Sequence, residues 1–238
     1  MTFSGFTYLN KHSFKDVGLT IAERSIGFPS KEKIKFKPPF SNHSIDFSEI
    51  YGSQVYTERE LTYRFNIAGR RITDPERMYL VRTKLVNWLM DSNGQQKLYD
   101  DFYKNYYFLA EVESAPSIEE NWDHGSVDVT FVAYPFMIDE LSEGHGLWDD
   151  INFELDYFQD VEFTINGTRT IELMNVGTAD VRPKITASSE MSIQQGNVVH
   201  KVNPGTSESY SFMLRSGPNT LVVSGSGTIR FDFHKELL

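Results

Sequence analysis

Chemistry in this chain would have to come from its six histidines, an acid-rich stretch or a row of lysines, because it contains no cysteine. That absence excludes thiolate catalysis, disulfides and Cys-ligated zinc, and fits a reducing compartment. His12, His43, His124, His145, His200 and His234 are scattered, and no two have the i, i+4 spacing that sets both imidazoles on one helical face for a metal. They read as packed or solvated side chains. From Asp139 to Glu162 there are nine carboxylates and no Lys or Arg. Glycoside hydrolysis would need two of them facing across a cleft, and calcium would need an Asp-x-Asp-x-Asp-Gly loop, which is missing. The stretch reads as solvated. No nucleophile elbow, phosphate loop or dinucleotide fingerprint occurs. Asn166-Gly167-Thr168 matches a glycosylation sequon, but Asn-Gly is also a hairpin-turn signal, and we read it as a turn. Ser224-Gly225-Ser226-Gly227 reads as another turn between strands. No catalytic residue, metal ligand or cofactor is assigned, and no enzymatic activity is expected.

Lys31, Lys33, Lys35 and Lys37 alternate with Glu32, Ile34 and Phe36. An extended backbone would line the lysines along one face. Such a row either protects an edge strand against aggregation or makes a charged contact with a neighbouring subunit. The six residues Lys31, Lys33, Ile34, Lys35, Phe36 and Lys37 are the candidate subunit interface.

The elements that would position these residues are mainly strands. The 18 Phe and 12 Tyr among 238 residues suit half-buried pleated surfaces. Leu61, Tyr63, Phe65 and Ile67 alternate with polar residues, as do Val127, Val129, Phe131 and Ala133, with a partner strand at Phe108, Ala110 and Val112. These predict an antiparallel sheet that stops at Pro135. Thr73-Asp74-Pro75-Glu76 announces one helix, capped by Thr73 or by Asp74 with Pro75 first in the helix. Its buried face is Met78, Val81, Leu85, Trp88 and Leu89, and it stops near Gly94. The acidic stretch, with Gly144-His145-Gly146 inside it, marks a domain junction. Beyond it Val161, Phe163 and Ile165, the Asn166-Gly167 turn, then Ile171 and Leu173 predict a hairpin. Tyr210, Phe212 and Leu214, then Ile229, Phe231 and Phe233, predict further strands of a small β-sandwich. The domains are therefore 1–140, a junction at 141–160, and 161–238.

A net charge of -10 disfavours binding to phosphate backbones or anionic lipid. Met1 to Asn10 show no basic segment followed by an apolar run, and no apolar run reaches membrane-spanning length, so a soluble product is expected.

With no chemistry to assign, the order of features along the whole chain carries the reading. Phe3-Ser4-Gly5-Phe6 to Leu9-Asn10-Lys11-His12-Ser13, Gly18-Leu19, Ile45-Asp46-Phe47-Ser48, Gly52, Tyr56 and Arg59 lead to the Leu61 strand. Trp88-Leu89, Gly94, Leu98, Tyr107 and Val129-Thr130-Phe131-Val132-Ala133-Tyr134-Pro135-Phe136 follow. In that order they resemble the distal tail protein (Dit) family of long-tailed phages and prophages of Gram-positive bacteria. Asn175-Val176-Gly177, Pro183-Lys184-Ile185, Gly217-Pro218-Asn219-Thr220 and Ile229-Arg230-Phe231 resemble that family's galectin-like C-terminal domain. The chain departs from the family at Asn10-Lys11, where Asn-Gly is usual, and at Pro38-Pro39-Phe40-Ser41-Asn42, where a glycine turn is usual.

The resemblance implies a mainly β fold with one long helix: an N-terminal β-sandwich-like ring or belt domain and a galectin-like β-sandwich outside the ring. It implies a homo-hexamer at the virion tail tip, made in the host cytoplasm and joining the tail tube to the tail-tip or fibre protein. Receptor-binding proteins are further candidate partners, DNA only passes through the lumen, and no membrane is involved. Two rivals stand beside it. One is a carbohydrate-binding tail adhesin using the C-terminal sandwich, with Tyr157 and Tyr210 as its stacking residues; the other is a cell-wall hydrolase of the tail tip.

Overall fold

The computed structural model of the protein describes residues 4–48, 52–67, 75–120, 125–146, 152 and 154–238. The chain divides into two units, Met1–Met137 with Leu238, and Ile138–Leu237. The fold is mainly antiparallel β with one helix, as expected, and its two domains are sandwich-like.

In the first unit the strands are β1 (Phe6–Tyr8), β2 (Lys11–His12), β3 (Leu19–Ile26), β4 (Lys35–Phe36), β5 (Ile45–Asp46), β6 (Arg59–Ile67), β7 (Gln96–Asp100), β8 (Tyr106–Glu111), β9 (Ser117–Glu120) and β10 (Gly125–Ala133). The main sheet runs β2-β1-β7-β8-β10-β6-β3. β6 and β10, the two strands predicted most directly from alternation, pair antiparallel over their full length, with Phe131 opposite Leu61. Leu61, Tyr63, Phe65, Val127, Val129 and Phe131 all face inward and are buried. β8 meets only the end of β10, through Val132–Glu111 and Ala133–Ala110, while β9 covers its beginning.

Helix α1 (Pro75–Leu89) begins at Pro75, the first helical position in one of the two readings of its start. The two capping candidates, Thr73 and Asp74, lie outside the described residues. Leu85, Trp88 and Leu89 are buried in the same core as the sheet, and the Trp88 indole N–H donates to the Tyr8 carbonyl at 3.0 Å. Phe6 packs against Tyr63, Phe65, Trp88 and Phe131. Offset and edge-on arrangements of this kind add to the area each ring removes from water.

Two-residue hairpins of type I′ need both central residues in left-handed geometry, which is why Asn-Gly is common there. Here Leu9 and Asn10 take φ of 49° and 59° between Tyr8 and Lys11, so the turn forms without glycine. Gly5, next to β1, has a packing role: a Cβ there would lie 2.5 Å from His12 Cε1 and 2.7 Å from Ser13 Oγ. His12 is buried, so it has no open space to retreat into. Gly5→Ala is expected to cost about 1–3 kcal/mol, the range for overpacking a tight site. Equilibrium urea unfolding reads this directly, and an unchanged midpoint would show that the β1–β2 corner yields freely.

The second unit holds β12 (Glu162–Asn175), β13 (Lys184–Ala187), β14 (Met191–Gln195), β15 (Val198–Val202), β16 (Gly205–Ser207), β17 (Gly217–Asp232) and β18 (Glu236–Leu237). Between the units' main sheets in sequence runs β11 (Met137–Asp139). Two turn expectations are corrected here. Asn166-Gly167 is no hairpin turn, and Ser224–Gly227 joins no pair of strands: both lie inside the continuous β12–β17 ladder, Asn166 opposite Ser226 and Gly167 opposite Gly225. Gly167, Gly225 and Gly227 have φ of 89°, 148° and 137°. A Cβ on Gly225 would sit 2.7 Å from Met191 Cγ, and one on Gly227 would sit 2.3 Å from Ser188 Oγ. The glycines take the positive φ and the close approach this part of the ladder requires, where β14 and β13 pair to successive halves of β17. Ile165, Ile171, Leu221, Val223, Ile229 and Phe231 from both halves share one core.

A third expectation also fails. Tyr210 to Leu214 is not a strand; Phe212 and Leu214 are buried from a loop, which an isolated bridge holds between Leu214 and Val181.

Candidate assembly surface

Among the described residues no three His, Cys, Asp or Glu side chains are grouped to hold a metal, and no helix is long and apolar enough to cross a membrane. His12 is a packed histidine: its Nδ1 accepts from the backbone N–H groups of Phe14 and Lys15, and its Nε2 contacts Asp101 at 3.1 Å. His43 is exposed, and His124 lies outside the described residues.

Three carboxylates of the acidic stretch differ from the solvated reading. Asp139 and Asp156 both pair with the Lys235 ammonium, the first at 2.9 Å, and Asp139 and Lys235 are buried. Glu143 is buried beside them, accepts from Gln159 at 3.2 Å, and has its pKa raised above 4.5, chiefly by desolvation. The segment is held by backbone bonds from Asp139 N–H to the Lys235 carbonyl and from Glu143 N–H to the Phe233 carbonyl. Local sequence hid this, because the compensating lysine stands about eighty to a hundred positions downstream.

A second buried network ties the first unit together. Asp100 of β7 accepts from the Tyr63 hydroxyl of β6 at 2.8 Å and pairs with the Arg24 guanidinium of β3, also at 2.8 Å. Burial raises the Asp100 carboxyl, and burial beside that carboxylate raises the Tyr63 phenol well above its ordinary value. These groups hold strands in register.

The lysine row lies on a two-stranded arm made by β4 and β5, where Lys35 faces Asp46 and Phe36 faces Ile45. Phe47 N–H donates to the Ile34 carbonyl at 2.8 Å, and Lys31 bridges to Tyr56 nearer the arm's base. Directly opposed residues of an antiparallel pair share a face. One face therefore carries Lys33 and Lys35 with Asp46, and the other carries Ile34, Phe36, Ile45 and Phe47. The apolar face is uncovered: these four residues are 60%, 55%, 47% and 38% exposed. On the basic face Lys33 Nζ lies 3.2 Å from Asp46. The Asp46 carboxyl is held down to about 2, first by the Ser48 hydroxyl, then by the Ser48 N–H, with Lys33 adding to it. At the tip Phe40 stands fully exposed with φ of 60°.

An isolated hairpin is marginal in water, and exposed apolar groups clustered on one mark a contact surface. The structure thus brings Lys31, Lys33, Ile34, Lys35, Phe36 and Lys37 onto one projecting element. Of the segment 31–37, Lys35 and Phe36 are the strand residues. Alternation in 31–37 did not foretell that Ile45 and Phe47 return beside Phe36 and Ile34.

Of the two adhesin candidates, Tyr157 lines a small cavity of about 30 Å³ beside Asp139, Glu143 and Lys235. In the second unit an open groove of about 480 Å³ is lined by residues including His200, Arg215 and Thr220, but by no Phe, Tyr or Trp. Tyr210 lies elsewhere, 87% exposed with the Arg182 guanidinium 5.2 Å from its ring.

No family model and no curated protein matches the chain. Among solved structures it is similar to the crystal structure of the Dit protein of SPP1, a paradigm of the hub adsorption apparatus in phages infecting Gram-positive bacteria, over the whole of both chains, with a TM-score of 0.65 and 13% identity. From end to end, the chain has a Dit-like fold.

Proposed function

We propose that this chain is a structural subunit of a phage tail hub, of the distal tail type. The observation that carries the reading is the fold likeness to a Dit protein across the full length of both chains. The uncovered arm supports it, because an apolar face on a two-stranded hairpin is explained by a surface that covers it in an assembly. In this reading the first unit closes a ring of six copies, the tube and tail-tip proteins bind on either side of it, and DNA passes through the lumen. The arm residues Lys31, Lys33, Ile34, Lys35, Phe36 and Lys37 form the contact between neighbouring subunits. Heterologous contacts repeating around one axis close such a ring without free edges.

The test is self-assembly of the full chain, followed by light scattering and negative-stain imaging, alone and with the tail-tip protein of the same phage. Six-membered rings are expected, and Phe36→Asp should abolish them while leaving the monomer folded. Ring formation should weaken only modestly in high salt if the apolar face dominates, since screening acts on the lysines and not on buried area. A monomer under every condition would overturn the proposal.

A further inference from the structure

Arg59, the first residue of β6, is 2% exposed, yet its Nε and Nη2 have no hydrogen-bond partner. Alternation along β6 turns it to the same side as Leu61 and Tyr63, over the core. What it touches is aromatic: its guanidinium carbon lies 5.4 Å from the centre of the buried Phe108 ring and 5.9 Å from that of Phe28. Phe28 is 80% exposed, so it covers the guanidinium from outside and is itself covered by little.

The Phe28 segment is anchored on both sides. Gly27 N–H donates to the Glu60 carbonyl at 2.8 Å, and a Cβ on Gly27 would stand 2.8 Å from that same oxygen, so glycine is needed there. On the other side Ser30 N–H donates to Thr57 Oγ1 at 3.1 Å, and Thr57 N–H to the Ser30 carbonyl at 2.8 Å. Phe28 and Pro29 span the interval like a strap over Arg59.

A guanidinium is a planar fork of donors that matches a carboxylate, and ring faces on either side leave the edge of that fork for the ligand. Aromatic faces attract the charge but accept none of its in-plane N–H groups. Burial lowers the Arg59 pKa, with Tyr103 opposing, and among the described residues no carboxylate acts on it.

We propose that Arg59 is a carboxylate-binding site closed by Phe28, which swings outward to admit one carboxylate between the Phe108 ring and the displaced strap. The ligand is a free small carboxylate or the side-chain carboxylate of a docking acidic peptide. The site is independent of the hub reading.

The experiment is saturation-transfer NMR on the C–H proton of formate, and on N-acetylglutamate amide, added to the full chain with chloride replaced at constant ionic strength. Formate transfer is expected for the native chain. Phe28→Ala should bind about tenfold more tightly, because removing a closed state raises apparent affinity by the inverse of the open fraction. Phe28→Ala combined with Arg59→Lys should lose most of that gain, since ammonium keeps the charge but not the fork. Tighter binding of the glutamate compound than of formate assigns the site to a protein side chain, and equal binding assigns it to a free anion. Absence of transfer in Phe28→Ala, or transfer undiminished by Arg59→Lys, would overturn the proposal even if a third variant, Arg59→Met, failed to fold.

Discussion

Lys235→Ala is expected to destabilise the second unit by about 3–5 kcal/mol at neutral pH, the range for removing one partner of a buried ion pair. The ammonium answers Asp139 and Asp156 at once, and both it and Asp139 are almost wholly out of water. Without it two carboxylates remain with no cation between them, and Lys235→Met should fare little better because the length of the side chain is not what is missing. The loss should depend on pH. Glu143 already has a raised pKa from burial, and Lys235 is one of the charges that restrain it. Removing Lys235 raises it further. A carboxyl whose folded pKa exceeds its unfolded value binds more protons when folded, so stability rises as pH falls through the window between them. The gap between the native chain and the variant should therefore narrow as pH falls towards 4.5. Thermal unfolding across that range checks it, and a gap that stays constant would show that the carboxylates do not feel the ammonium.

Leu85→Ala should cost about 2–5 kcal/mol through lost apolar transfer and the cavity left behind. The side chain is 0% exposed and lies in the same cluster as Trp88, Phe6 and Phe131, so the void opens in the middle of the first unit's core. Tyr79 and Leu80, on the outer side of the same helix, supply the control: both are well exposed, and alanine at either should change stability by less than about 0.5 kcal/mol. Urea unfolding of the three variants separates burial from helix propensity, which all three change in the same direction. A Leu85 effect no larger than the controls would mean that α1 does not anchor the sheet.

Much of the fold was legible where one short period governs one buried face. Leu61, Tyr63 and Phe65 face the core because successive strand residues alternate sides, and Leu85, Trp88 and Leu89 do so because helical residues three and four apart share a face. Those are local rules, and residues a few positions apart obey them. Asn166-Gly167 and Ser224–Gly227 were misread for the same reason: a positive φ is local, but whether it reverses the chain or lies within a long strand depends on the partner strand some sixty residues away.

The sequence by itself determined the strand-rich class, the helix with Leu85, Trp88 and Leu89 on its buried face, and the scattering of the histidines, since each depends on residue type at short spacing. Only the tertiary structure decided that Lys235 pairs with Asp139 and Asp156 of the acidic stretch, that Ile45 and Phe47 complete the uncovered face of Ile34 and Phe36, and that Arg59 is buried against Phe28 and Phe108. Burial and charge compensation are properties of what the chain brings back from a distance, and no spacing along the chain encodes them.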